Sequence, residues 1–165
     1  MHSDRKILTA FFSMTKDYSF ANTKRIVKGH TEQVAEQIAE ITGSDLYRIN
    51  KTEALMPENV CVPKPVENFE QYDIIYLGFP IYYHTMPKQV YEFLKSYPFE
   101  NKTIIPFTTH AGSGLGRSVA EIRSTCAESL VLDGLAVGSA EVQSAKQKIR
   151  DWTLGSLETA KKGLH

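Results

Sequence analysis

Two adjacent tyrosines, a histidine and a threonine occupy residues 82–85, directly after a short apolar run. The run, residues 74–77, is too short for a helix and too continuous for a half-exposed strand, which predicts a central strand buried on both faces. Gly78 and Pro80 end it, and Pro87 suits the first turn of a helix. Loops at the carboxyl ends of parallel strands are where α/β sheets bind ligands. Tyrosines there suit stacking on a flat heteroaromatic ligand, although a turn that only packs would have the same composition.

A second loop that could bind a ligand is residues 108–116, Thr-Thr-His-Ala-Gly-Ser-Gly-Leu-Gly. Glycine allows backbone amides to come close to a ligand. The loop does not match the dinucleotide-binding fingerprint, because Arg117 stands where the third glycine belongs and the loop lies late in the chain. We therefore expect an amide-rich loop beside a ligand and no dinucleotide site.

Hydroxyls and a predicted helix start form a third feature. Ser13-Met-Thr15 follow the first predicted strand, and Gly29-His-Thr31 open a helix. Free N–H groups and the positive end of the helix dipole favour an anion such as phosphate. The P-loop lysine spacing is missing, which argues against nucleotide triphosphate hydrolysis. A threonine that only caps its helix is the alternative.

Strands and helices alternate along the sequence. Apolar runs predict strands at 6–12, 46–49, 74–77, 102–109 and 130–137, the last interrupted at Asp133-Gly134. A 3.6-residue period predicts helices over 31–43, 87–97, from about 117, and over about 141–161. Residues 51–72 predict an irregular crossover with at most one helical turn. The alternation specifies a parallel α/β sheet covered on both faces, in one domain over 1–165.

Composition excludes several classes of function. Lys plus Arg and Asp plus Glu both number 19, so no net charge attracts nucleic acid or an anionic membrane. No apolar run approaches the roughly 20 residues of a membrane span, and no signal-peptide cleavage site follows the start, which predicts a cytoplasmic protein. Cys61 and Cys126 lie far apart without partner spacing, so we expect no metal site.

A phosphate site, a stacking loop and an amide-rich loop together describe a mononucleotide with a large planar ring. The chain resembles the flavodoxin-like family, in its short bacterial FMN-binding branch, over residues 7–13, 29–36, 78–87 and 102–118. The resemblance implies a three-layer sandwich whose five-stranded parallel sheet has the order 2-1-3-4-5. It implies FMN as the cofactor. A receiver-type signalling domain is excluded, because residues 13–14 and 78–79 are Ser-Met and Gly-Phe where that domain needs acidic residues.

The resemblance also assigns residues to the cofactor. It implies that the FMN phosphate is held by Ser13, Thr15, His30 and Thr31, and that Tyr82 stacks on the isoalloxazine. The residues that flank the ring are Pro80, Ile81, Tyr82, Tyr83, His84, Thr85, Thr108, Thr109, His110, Gly112, Ser113, Gly114 and Gly116. His30 departs from the family's usual Asn, residues 14–28 lengthen a loop, and the crossover at 51–72 is short.

Members of this family either carry single electrons between proteins or reduce small molecules with NADH or NADPH. The chain is neutral, whereas carriers are usually acidic, and residues 81–85 contain no glycine, so turning a peptide to positive φ would cost about 1–2 kcal/mol. Both points favour an FMN-dependent reductase of quinone-like acceptors. A one-electron carrier with a redox partner protein and a cofactor-free binding module are the alternatives.

His84 and His110 are the candidates for a proton donor or a substrate-orienting group near the flavin. A loop histidine that bonds only to the backbone is the alternative for each. The sequence is also compatible with a homodimer.

Overall fold

The elements of the fold alternate between strand and helix. A computed structural model describes residues 6–13, 29–49 and 65–163. The strands in these ranges are β1 (Lys6–Phe11), β2 (Asp45–Arg48), β3 (Tyr72–Pro80), β4 (Thr103–His110), β5 (Leu130–Val131) and β6 (Leu135–Gly138). The helices are α1 (His30–Thr42), α2 (Lys88–Ser96), α3 (Ser118–Thr125) and α4 (Lys146–Gly163).

The strands form one parallel sheet with the predicted order, β2-β1-β3-β4-β5. In addition, β6 pairs with the later part of β4, where Phe107 lies beside Leu135. The predicted fifth strand is therefore one line interrupted at residues 132–134, where the sequence placed the break. A Cβ on Gly134 would lie 2.9 Å from the Pro106 carbonyl oxygen, so the chain passes β4 too closely there for a side chain.

The core lies on both faces of the sheet. Along β3, Ile74 and Tyr76 pack with the residues of α1 and α4, while Ile75 and Leu77 pack with those of α2 and α3. All four are fully buried. Since successive strand residues point to opposite faces, a strand covered on both sides needs a continuous apolar run. The predicted three-layer sandwich and its central strand are confirmed.

The sequence predicted the end of α1 correctly and the start of α4 incorrectly. Helix α1 ends before Gly43, which has a φ of 69° and donates its N–H to the Ala39 carbonyl at 2.8 Å, as predicted for a glycine past a helix end. The predicted start of the last helix near Glu141 is wrong. Residues Ser139–Glu141 form a short 3-10 turn, and the Glu141 carbonyl accepts the amide of Ser144 at 2.9 Å, which turns the chain before α4 begins.

Some predictions lie partly outside the described residues. The loop at 14–28 is outside them, as are Cys61 and residues 50–64 of the crossover; in the rest of the crossover, Phe69–Gln71 form one 3-10 turn. Within the described ranges no cluster of three potential metal ligands occurs. None of the helices described is long and apolar enough to cross a membrane.

Candidate functional site

Three predicted loops meet at the carboxyl edge of the sheet. The backbone N–H of Ile81, after β3, donates to the Thr109 carbonyl of β4 at 3.0 Å. The hydroxyl of Thr109 lies 2.8 Å from that of Thr31 in α1. The amide of Arg117, after the glycine-rich loop, donates to the His84 carbonyl at 2.7 Å. Each loop is thus tied directly to another, and the edge forms one continuous surface.

The first turn of α1 forms the end of this surface nearest β1. Gly29 precedes the helix and has no side chain with which to cap it. Ser13, at the end of β1, and Thr31 are both buried, whereas His30 is exposed. The helix amides carry the positive end of the helix dipole, so this turn attracts an anion. Thr15, the remaining predicted phosphate ligand, lies outside the described residues.

Arg48 is a site residue that sequence reasoning missed. It ends β2, and its guanidinium lies 3.2 Å from the Glu32 carboxylate in the first turn of α1 and 3.5 Å from the Ser13 carbonyl oxygen. An unpaired Glu32 would repel an anion at this turn, and the cation of Arg48 offsets that charge. The available signal was position: an arginine at the carboxyl end of a strand points to this edge of a parallel sheet.

The aromatic loop is a tight turn. Tyr82 and Thr85 exchange two backbone hydrogen bonds of 2.8 and 3.0 Å, and the residues between them, Tyr83 and His84, have φ angles of 50° and 66°. Two central residues with positive φ are the signature of a type I′ turn, which normally favours Asn and Gly. The loop thus adopts positive φ without glycine, and the hydrogen bonds of the turn offset the steric cost that the sequence predicts for this conformation.

Side chains fix this turn to two helices. The Thr85 hydroxyl lies 3.0 Å from the Tyr91 hydroxyl of α2 and donates to the Glu121 carboxylate of α3. Glu121 is also 3.6 Å from the guanidinium of Arg117, whose amide holds the His84 carbonyl. The turn is thus bonded to both helices of one layer, which holds its rings in place at the edge.

The rings of the turn differ in burial. Tyr82 is half-buried against the core, and this burial raises the pKa of its phenol. Tyr83 is 94% exposed, and His84 is exposed beside it. The turn therefore presents one ring that is held by the protein and one that is free to contact a second molecule.

His110 makes a local backbone contact at the end of β4. Its Nδ1 accepts the amide N–H of Gly112 at 2.9 Å. A neutral imidazole that accepts at Nδ1 carries its proton on Nε2. His110 thus has the backbone bond of a structural loop histidine and keeps one N–H donor.

The glycine-rich loop has an open side and a closed side. Gly112 and Gly114 have φ angles of 131° and 62°, and a Cβ on either would meet nothing within 4 Å. Gly116, with a φ of 53°, is different: its Cβ would lie 2.2 Å from the His84 carbonyl oxygen. The Thr108 hydroxyl fixes the loop by donating to the Gly114 carbonyl at 3.0 Å. The backbone at Gly112 and Gly114 is thus accessible, whereas the backbone at Gly116 packs against the aromatic turn.

Comparison with known proteins decides the family. The family model described as Flavodoxin matches residues 56–154, which is more than half of the chain. The chain belongs to the flavodoxin family. This confirms the family predicted from the sequence. A comparison with curated proteins gives no match.

Solved structures similar to this flavodoxin-family protein share its fold. One is a protein of Bacteroides eggerthii described as a flavoprotein, 23% identical, with a TM-score of 0.69 over 96% of this chain and 99% of the other. Another is a Lactobacillus acidophilus flavoprotein in complex with FMN, 19% identical, with a TM-score of 0.57 over 86% and 98%. A third is an NADH:FMN oxidoreductase in apo form, 14% identical, with a TM-score of 0.57 over 92% and 90%.

Proposed function

We propose that this protein binds FMN along the carboxyl edge of the sheet. The observation that carries the proposal is the convergence of three unlike surfaces on one edge. These are an uncapped helix start beside buried hydroxyls, an aromatic turn, and a glycine loop with open backbone. Their chemistry matches the three parts of FMN, an anionic group, a flat ring and the polar ring edges. The FMN complex of the Lactobacillus acidophilus flavoprotein, which has the same fold, supports this choice.

The phosphate is proposed to lie at the first turn of α1. Phosphate oxygens only accept hydrogen bonds, and this turn offers backbone amides and hydroxyl donors. The residues assigned to it are Ser13, Thr15, His30 and Thr31, with Arg48 added because it neutralises Glu32.

The isoalloxazine is proposed to lie between the aromatic turn and the glycine-rich loop. Tyr82 is the stacking ring in this proposal, since its half-buried side chain is held by the protein. The open faces of Gly112 and Gly114 leave room for a flat ligand to approach the backbone. The other predicted flanking residues, apart from Thr109, form the remaining walls.

Bound FMN would supply the transfer of electrons, singly or as a hydride, and the protein would orient the reactants. His84 and His110 are the histidines of these two loops. The Nε2–H of His110 could donate a hydrogen bond that orients an acceptor, and the exposed imidazole of His84 could orient an acceptor or, when protonated, deliver a proton to it. These roles of His84 and His110 are a further part of the proposal.

We favour two-electron reduction of a small quinone-like acceptor by NADH or NADPH. The balanced charge of the chain supplies no field for docking an electron-transfer protein. The fold shared with an NADH:FMN oxidoreductase is compatible with this activity. The absence of glycine from residues 81–85 is not an argument for two-electron reduction, because the turn already has positive φ at Tyr83 and His84.

One observation favours a one-electron carrier as the second candidate. Tyr83, 94% exposed on a turn of left-handed backbone, is placed where a partner protein could contact it. The third candidate, a cofactor-free binding module, requires that the purified protein fails to bind FMN.

Two measurements on the FMN-loaded protein separate the candidates. Anaerobic reductive titration, followed by absorption, should convert oxidised FMN directly to the fully reduced form. The FMN-loaded protein should turn over a quinone with NADH or NADPH, and the apoprotein should not. Accumulation of a stable one-electron-reduced form, together with no turnover, would instead establish the carrier. As a test of His84 and His110, each is changed to Ala, and unaltered turnover removes it from the mechanism.

A further inference from the structure

A buried pair of hydroxyls links the two halves of the proposed FMN site. Thr31 Oγ1 in the first turn of α1 lies 2.8 Å from Thr109 Oγ1 near the end of β4. The two residues are 2% and 3% exposed. Both side chains are therefore largely enclosed by protein, and among the described residues the hydrogen bond between them is the contact shown for both hydroxyls.

The direction of this hydrogen bond matters. Each hydroxyl has one proton to donate, and either oxygen of the pair could be the donor. If Thr31 donates to Thr109, its proton is used and cannot reach an anion at the helix start. If Thr109 donates to Thr31, the Thr31 proton is free to point at a phosphate oxygen, which can only accept.

Backbone contacts fix the position of Thr109 independently of its hydroxyl. Its carbonyl accepts the amide of Ile81 at 3.0 Å, and its strand pairs with β3 and β6 on either side. A change in its side chain that keeps the shape should therefore leave β4 and the aromatic turn in place. This separates the effect of the hydroxyl from the effect of the strand.

We propose that Thr109 is a positioning residue for the phosphate. Its hydroxyl donates to Thr31 Oγ1 and thereby holds the Thr31 hydroxyl in the orientation in which its proton points at the phosphate of FMN. The inference rests on the proposed function and reassigns Thr109, which the sequence placed beside the isoalloxazine, to the phosphate end of the site. It predicts that removing this hydroxyl weakens binding of the phosphate and not of the ring.

Riboflavin provides the test, because it has the ring of FMN and no phosphate. The dissociation constants of the apoprotein for FMN and riboflavin are measured by quenching of flavin fluorescence, for the wild type and for Thr109→Val. Valine keeps the shape of threonine and lacks the hydroxyl. We expect Thr109→Val to weaken FMN binding about tenfold, the range for a hydrogen bond to a charged group, and to leave riboflavin binding within about twofold of the wild type.

Three further variants serve as controls. Thr109→Ser keeps the hydroxyl and should retain the wild-type ratio of FMN to riboflavin affinity. Thr31→Val should lower that ratio at least as much as Thr109→Val, and the double variant should lower it no further than Thr31→Val alone, because both act through one contact. If Thr109→Val does not fold, Thr109→Ala gives the same comparison with a smaller side chain.

The outcomes separate this inference from the proposed function. A wild type that prefers FMN to riboflavin, with the same preference in Thr109→Val, overturns the role of Thr109 alone. Equal weakening of both flavins in Thr109→Val also overturns it, since a merely structural role has that effect. A wild type that binds neither flavin overturns the proposed function, and the inference with it.

Discussion

The two loops that face each other at the carboxyl edge reach left-handed backbone by different means. The glycine-rich loop does so through residue type, since Gly112, Gly114 and Gly116 all have positive φ. The aromatic turn does so with Tyr83 and His84, residues for which positive φ costs about 1–2 kcal/mol each. In the turn, the exchange between Tyr82 and Thr85, the Arg117 amide and the Thr85 hydroxyl supply the hydrogen bonds that offset this cost.

The comparison shows that positive φ can be stabilised by hydrogen bonds from neighbouring residues as well as by glycine. The contact between the loops shows the connection, because Gly116 leaves the space in which the His84 carbonyl sits and Arg117 donates to that carbonyl. The glycine-rich loop therefore stabilises the aromatic turn, and substitutions in both loops test this dependence.

Gly116→Ala should be the most damaging change. Its Cβ would lie 2.2 Å from the His84 carbonyl oxygen, so the loops must separate and lose the Arg117 hydrogen bond in addition to the cost of positive φ. We expect a loss of about 3 kcal/mol in the free energy of unfolding, measured by urea denaturation. Gly114→Ala is the matched control, since its φ is similar and its Cβ meets nothing within 4 Å; it should cost about 1 kcal/mol. Equal losses of stability in the two variants would show that the close approach of Gly116 to the His84 carbonyl is not what makes Gly116→Ala damaging.

Thr85→Val tests the side-chain anchor of the turn. It removes the hydroxyl that bonds to Tyr91 and Glu121, and valine keeps the volume of threonine. We expect a loss of about 1–2 kcal/mol in the same assay. Ser113→Ala, an exposed hydroxyl in the opposite loop, should change stability by less than about 0.5 kcal/mol. A Thr85→Val protein as stable as the wild type would show that the backbone bonds alone hold the turn.

His84→Gly should stabilise the protein. Glycine adopts a φ of 66° without the steric cost that histidine has there, which predicts a gain of up to about 1 kcal/mol in the free energy of unfolding. The contrasting variant is His110→Gly, at the end of β4, where glycine adds freedom to the unfolded chain and removes the acceptor of the Gly112 amide, so it should lower stability. Destabilisation by His84→Gly would mean that the imidazole itself makes an important contact.

The half-buried Tyr82 should make the stability of the protein depend on pH at high pH. Burial raises the pKa of Tyr82, so above pH 10 the folded protein keeps a proton that the unfolded chain loses. The folded state then binds more protons, and stability must fall as pH rises in this range. Tyr82→Phe should lessen that fall between pH 9.5 and 11, measured by urea denaturation. An unchanged slope in Tyr82→Phe would contradict the burial argument.

The sheet order was predicted from the resemblance to the flavodoxin-like family. Local patterns in the sequence were sufficient for the alternation of strands and helices, the interrupted last strand and the glycine end of α1. These features follow from apolar runs and from the special conformation of glycine, which are visible in neighbouring residues. The start of α4 was misplaced because Val142 and Ala145 continue the apolar stripe of the helix through a turn that does not belong to it. A buried stripe alone does not show whether its backbone is helical.

Contacts between distant segments could not be predicted. The pairing of Arg48 with Glu32 and of Thr31 with Thr109 depends on how β2, β4 and α1 are placed side by side, and no local pattern encodes that placement. The positive φ of Tyr83 and His84 depends on the opposite loop in the same way. The sequence thus predicted which loops form the candidate site, while the bonds between those loops required the structure.

Hydrogen–deuterium exchange with and without FMN tests the central claim most directly, because it reports where the cofactor lies. We expect FMN to slow exchange in peptides covering residues 29–36, 80–85 and 108–116. We expect no change at the opposite edge of the sheet, for example in residues 98–102. Unchanged exchange in all three segments at saturating FMN, or slowing confined to other parts of the chain, would contradict the account.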